Sequence, residues 1–183
     1  MRVSRRLLAL LTLLITLVAF IIVEVYAHSY IRSLPAISKE EASNFVYFYS
    51  NGSKEFSHSM HGCTVRWLAI WSINKPTPSV NHARIYLFKI EQNSSFLVQS
   101  LEVIPVALRA TANNPNSQFH AWLDEVFQED NYTEVIIEYD FGETGTYNVD
   151  FGLVVKIYEQ TLLGYLPLEE VKISIEELLY YGP

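Results

Sequence analysis

Thr146–Glu159 reads TYNVDFGLVVKIYE, and its alternation decides the fold class. Tyr147, Val149, Phe151, Leu153, Val155 and Ile157 fall on one side of an extended chain. Thr146, Asn148, Asp150, Gly152 and Lys156 fall on the other. Successive side chains of a strand point to opposite faces, so a half-buried antiparallel strand produces this period of two.

The same signal extends in both directions. Downstream, Val171, Ile173 and Ile175 repeat it. Upstream, Val135, Ile137 and Tyr139 alternate with Glu134, Glu138 and Asp140. Thr64–Ile73 (TVRWLAIWSI) is apolar on both faces, which suits a central strand, and Asn44–Tyr49 (NFVYFY) has the aromatic and β-branched density of another. Ala83–Glu91 and Phe96–Ile104 read as a hairpin around Gln92-Asn93-Ser94, with Pro105 ending or bending the second arm. One segment departs from this pattern. Phe119, Trp122, Leu123, Val126 and Phe127 follow the i, i+3, i+4, i+7, i+8 spacing of an amphipathic helix, after a start signal at Pro115-Asn116-Ser117. About seven strands separated by turn signals predict a mainly all-β domain, an antiparallel two-sheet β-sandwich carrying one amphipathic helix.

Glu143-Thr-Gly145-Thr-Tyr147-Asn-Val149 resembles the tyrosine-corner region of immunoglobulin-like and fibronectin III-like domains. The resemblance implies that the Tyr147 hydroxyl bonds to backbone at the start of a late strand. Val149 stands where antibody-type domains carry their second cysteine, so the disulfide version of that fold is excluded. A likeness of fold carries no function with it.

The N-terminus predicts where the domain works. Residues 1–6 form a basic stretch with Arg2, Arg5 and Arg6, and Leu7–Val23 (LLALLTLLITLVAFIIV) holds no charge, Gly or Pro. Residues 7–27 therefore read as a single-pass transmembrane anchor, or as a signal peptide cleaved after Ala27. The arginines stay in the cytoplasm by the positive-inside rule, which puts a polar stem (28–43) and the domain (44–183) on the outer side. Cleavage would release a secreted form starting at His28.

From His28 onward the chain carries 10 basic and 19 acidic residues, a formal net charge of −9. Nucleic-acid binding needs basic groups on phosphate, so that class is excluded. Cys63 is the only cysteine and can close no intramolecular disulfide. Asn51, Asn93 and Asn131 head N-x-[ST] triplets in polar stretches, making them candidate glycosylation sites.

His58, Met60, His61 and Cys63 lie in HSMHGC, the segment best suited to chemistry. Imidazole, thioether and thiolate suit Cu(I), or zinc with a fourth ligand, whereas the bland reading is a polar turn that buries Cys63. Between Arg109 and Lys156 nine carboxylates occur without one Lys or Arg, from Asp124 to Asp150; they read as a solvated face, with a weak calcium site as the alternative. Trp67, Trp71, Tyr47, Tyr49, Tyr86 and Phe88 read as core, with a stacking surface as the alternative. The hydrolase, zinc-protease and nucleotide-binding motifs are missing, so no catalytic residue and no cofactor is expected. The leading expectation is a membrane-anchored, outward-facing binding or structural module acting on a protein partner. A secreted subunit of a surface filament or layer and an extracytoplasmic metal-handling protein are the rivals.

Overall fold

A computed structural model describes residues 5–28, 31–94, 100–113, 118–161 and 164–182. Helices α1 (Arg5–His28) and α2 (Lys39–Tyr49) precede eight strands. These are β1 (Gly52–Met60), β2 (Cys63–Ile73), β3 (Asn81–Asn93), β4 (Ser100–Ala112), β5 (Phe119–Gln128), β6 (Tyr132–Phe141), β7 (Gly145–Thr161) and β8 (Gly164–Tyr181). They form two antiparallel sheets, β1-β2-β3-β6-β5 and β4-β7-β8.

The sheets pack face to face as a sandwich. The alternating set on β7, Tyr147 to Ile157, is buried against inward side chains of β2, β3 and β6, with Trp67, Ile85, Leu87, Ile137 and Tyr139 among them. The interior strand β2 also buries its other face. There Leu68 and Ile70 join Tyr86 and Phe88 of β3 under Ala42 and Phe45 of α2. Phe45 meets Tyr86 and Phe88 edge-on at 4.9 and 5.3 Å between ring centroids. The molecule is therefore layered helix, sheet, sheet.

Three expectations are corrected. Asn44–Tyr49 is not a strand but the second half of α2. Ser38 and Glu41 form a capping box: Glu41 N donates to Ser38 Oγ at 3.1 Å, and Ser38 N donates to Glu41 Oε2 at 2.9 Å. That nucleus directs the aromatic run into a helix, which then buries Phe45 on the sheet. Phe119–Phe127 is not a helix but strand β5. A β-bulge between Leu123 and Glu125 shifts the alternation by one residue, so half-buried Leu123 and exposed Val126, which register sets opposite Val135, sit three apart on one side and mimic a helical stripe. Finally, β3 and β4 do not pair as a hairpin. They lie in different sheets, and β4 pairs only with β7. Pro105 does mark an irregularity, a bulge between Pro105 and Ala107, beyond which the strand continues.

Among the described residues no helix is long and apolar enough to cross a membrane. The continuous run of α1 side chains that is described, 8–23, is 16 residues long. That gives about 24 Å of helix against a hydrocarbon core of ~30 Å. All twelve large apolar side chains of this run, Leu8 to Val23, are 46–68 % exposed. Thr12 and Thr16 turn their hydroxyls back to the Leu8 and Thr12 carbonyls at 3.0 and 3.1 Å.

Candidate functional site

The HSMHGC segment is a tight hairpin. Met60 pairs with Cys63, and only His61 and Gly62 form the turn, with φ of 50° and 79°. Two successive left-handed residues make a type I′ turn, which matches the twist of its flanking strands and favours Gly. His58 and Met60 share the inward face of β1 with Phe56, and Cys63 enters the core. His58 Nδ1 lies 3.0 Å from Glu169 Oε1, and His61 Nδ1 lies 3.6 Å from Glu159 Oε2. Each imidazole thus faces a carboxylate of the opposite sheet. Burial, helped by the charges of Glu159 and Glu102 and opposed by Lys89, pushes the Cys63 thiol upward. A protonated thiol is a poor metal ligand. Among the described residues no three His, Cys, Asp or Glu side chains converge as a metal site would require.

The same side of the sandwich, where β1 and β2 face β7 and β8, carries two more polar contacts. Trp71 Nε1 donates to Glu177 Oε1 at 2.6 Å, and Lys54 Nζ donates to the Ser174 carbonyl at 3.2 Å. Together these four contacts join the sheets along one side, so the hairpin's polar groups have a structural task.

No family model, curated protein or solved structure matches this chain.

A buried polar cluster appears where the sequence offered no local signal. Lys89 of β3 and Glu102 of β4 form an ion pair with side chains only 2 % and 3 % exposed. Lys89 also donates to Ser100 Oγ at 3.0 Å and Gln92 Oε1 at 3.2 Å. Glu102 accepts from Ser33 Oγ at 2.8 Å and from Leu34 N at 3.3 Å. Buried charges persist when their remaining hydrogen-bonding positions are filled, and here the segment before α2 helps fill them. That segment is tied down further. Ile37 N donates to the Lys89 carbonyl at 2.9 Å, Arg32 N donates to Gln128 Oε1 at 3.2 Å, and Leu34 is buried. Burial raises the Tyr165 phenol, the nearby Glu102 charge adds to this, and a hydrogen bond with Ser33 opposes it.

Seven of the nine carboxylates divide between two surroundings, while Glu143 is exposed and Asp140 is half-buried with its Oδ1 unpartnered among the described residues. Glu134 pairs with Arg84 at 2.8 Å, Glu138 with His82 at 3.2 Å, Asp130 with Arg32 at 2.9 Å and Asp150 with Lys172 at 2.6 Å. Asp124, Glu125 and Glu129 are exposed on or beside β5 with no such partner among the described residues. The acceptor nitrogens' residues Asn51, Asn93 and Asn131 are all exposed, although Asn51 Nδ2 donates to the Ile73 carbonyl at 3.0 Å. Trp67, Trp71, Tyr86 and Phe88 are core residues, while the side chains of Tyr47 and Tyr49 lie outside those described.

Among the exposed apolar side chains of the described domain, two groups are singled out by their place in the fold. One is the rim of a cleft of about 340 Å³ at the end where β2 leaves and β8 finishes; Leu178 and Tyr180 form that rim, and Glu177 lies within it. The other is Trp122 and Phe127 on β5, the edge strand of the larger sheet, at 40 % and 42 % exposure. Their spacing in the sequence fits the apolar stripe of a helix, whereas on β5 both aromatics are exposed. The doubled carboxylates Asp124-Glu125 at the centre of that stripe were the available sign of a bulged, solvent-facing strand.

Proposed function

We propose that this chain is a membrane-anchored, outward-facing, immunoglobulin-like β-sandwich module that acts by contact with a protein partner. The observation that carries the anchoring is the Leu8–Val23 surface, twelve large apolar side chains presented on every side of a helix and each about half exposed or more among the described residues. A helix apolar all round is stable in water only if something apolar covers it. Lipid is the cover that the preceding arginines and the run's chemistry favour. The helical backbone of α1 runs on to His28, and in the sequence Val25, Tyr26 and Ala27 follow the apolar run. Threonine hydroxyls satisfied within the helix suit the same environment.

Two observations support the immunoglobulin-like reading. With β1 set aside, the remaining strands run β2-β3-β6-β5 and β4-β7-β8. Relabelled in chain order A to G, that is the ABED and CFG arrangement of constant-type immunoglobulin sandwiches. Tyr147 opens β7, the strand that would be F, and its hydroxyl donates to the Glu143 carbonyl four residues upstream, as a tyrosine corner does. Strand β1 and helix α2 are additions to that plan.

The protein-contact role is supported by exposed apolar side chains at the β5 edge and the β8 rim, on a surface too acidic for nucleic acid. Fractionation tests the anchoring. The protein is expected in the membrane pellet after an alkaline carbonate wash and in the supernatant after detergent. Release by carbonate alone contradicts it.

A further inference from the structure

We propose that the free edge of β5 docks an extended, basic segment of a partner protein by adding it as a sixth strand to the larger sheet. The inference rests on the protein-contact reading above and names its surface and partner chemistry. β5 pairs on one side with β6 and terminates the sheet on the other. Helix α2 covers the outer face over β2 and β3 and leaves the outer face at β5 open. Register fixes which side chains face out there: His120 lies opposite Asp140, Trp122 opposite Glu138 and Phe127 opposite Glu134. Among the described residues β6 is the only strand in a ladder with β5, although β4 of the other sheet runs close to it, and an added strand would pair with Phe119–Leu123, before the bulge, and lay its apolar side chains beside Trp122.

Charge complementarity selects the partner. Asp124, Glu125 and Glu129 are exposed without an ion-pair partner among the described residues, and no Lys or Arg occurs between Arg109 and Lys156. The neighbouring Glu134 and Asp130 are ion-paired with Arg84 and Arg32, and Glu138 lies within hydrogen-bond reach of His82, so Asp124, Glu125 and Glu129 are the carboxylates on and just after β5 that have no ion-pair partner among the described residues. Natural edges are commonly blunted by a charge and a bulge, and both devices are present at Asp124. They discourage pairing with another acidic copy of this chain, whereas lysines or arginines in the incoming strand remove the repulsion.

The test uses the full chain in a neutral detergent and a ten-residue peptide alternating lysine with valine, against the same peptide with glutamate for lysine. Trp67 and Trp71 are buried, so Trp122 is the tryptophan that reports the edge. The expected result is a saturable change in tryptophan fluorescence with the lysine peptide alone, weakened by salt, together with slowed amide exchange at Phe119–Leu123. The triple change Asp124→Lys, Glu125→Lys, Glu129→Lys raises the dissociation constant about tenfold or more. Should that variant fold poorly, the salt dependence on the unaltered chain and Trp122→Ala answer the same question. Equal responses to both peptides, indifference to salt and charge reversal, or pairing of two copies through β5 in sedimentation would overturn the proposal. Surface labelling of intact cells is independent of all of these, so a failed titration removes the docking edge and leaves the outward placement standing.

Discussion

The Lys89 ammonium and the Glu102 carboxylate lie almost wholly inside the domain, and the hydroxyl of Ser33, at the far end of the chain segment before α2, completes their coordination. A single substitution leaves a charge buried without its counter-ion. Glu102→Gln or Lys89→Met is expected to lower stability by about 3–5 kcal/mol, a large share of an ordinary domain's margin. The double change Lys89→Met, Glu102→Leu should recover most of that loss, since an apolar pair has no charge to desolvate. Denaturant unfolding reads both. Limited proteolysis should show cleavage near Ser33–Ile37 appearing in the single variants first, because that segment loses its seat.

Tyr147→Phe removes one hydroxyl that donates to the Glu143 carbonyl and keeps the ring in contact with Phe141, 4.2 Å away between centroids. A net cost of about 0.5–1.5 kcal/mol is expected. Tyr147→Ala should cost about 3–5 kcal/mol, because it also empties a core position. Equal effects of the two substitutions would mean the hydroxyl contributes everything and the packing nothing.

Burial pushes the phenols of Tyr139, Tyr86 and Tyr165 above their ordinary value, most strongly at Tyr139. Below the ordinary tyrosine value near 10 these groups are neutral in both states and cost nothing. Above it the unfolded chain ionises first, so the folded state loses stability as pH rises toward the higher folded values. The urea midpoint should hold between pH 7 and 9 and fall steeply beyond about pH 10. Tyr139→Phe should flatten that fall.

Cys63 is fully buried, and its thiol is pushed upward by that burial. A maleimide is expected to leave it unmodified in the folded protein and to react fully in denaturant. His58 and His61 face Glu169 and Glu159, so zinc or copper offered to the folded protein should bind without stoichiometric retention after dialysis. Tight, equimolar retention abolished by His58→Ala would restore the metal-handling reading.

Much of the sandwich is written locally. Tyr147 to Ile157 on β7, Val135 to Tyr139 on β6 and the doubly apolar Thr64–Ile73 on β2 each carry their burial in their own alternation. The failures have equally physical causes. In β5 the bulge at Asp124 converts a period of two into the spacing of a helix. In α2 the Ser38–Glu41 cap overrides the strand preference of NFVYFY. Nothing near Asn93 shows that the chain leaves one sheet for the other, since that choice depends on β4 finding β7 far downstream. The Lys89–Glu102 pair is likewise invisible before folding, because each residue alone reads as a surface charge. HSMHGC drew attention by composition; His58, Met60 and Cys63 do share the inward face, but each imidazole is turned to a separate carboxylate of the other sheet, which residue types do not disclose.

The outward placement of the domain is tested most directly by a single introduced thiol. Lys75 is exposed in the loop between β2 and β3, and Cys63 is hidden, so in Lys75→Cys the new side chain is the reactive one. A membrane-impermeant maleimide applied to intact cells should label this variant as fully as it does after the cells are broken, and should leave the unaltered protein dark. Labelling that appears only after lysis would put the sandwich on the cytoplasmic side and contradict the account.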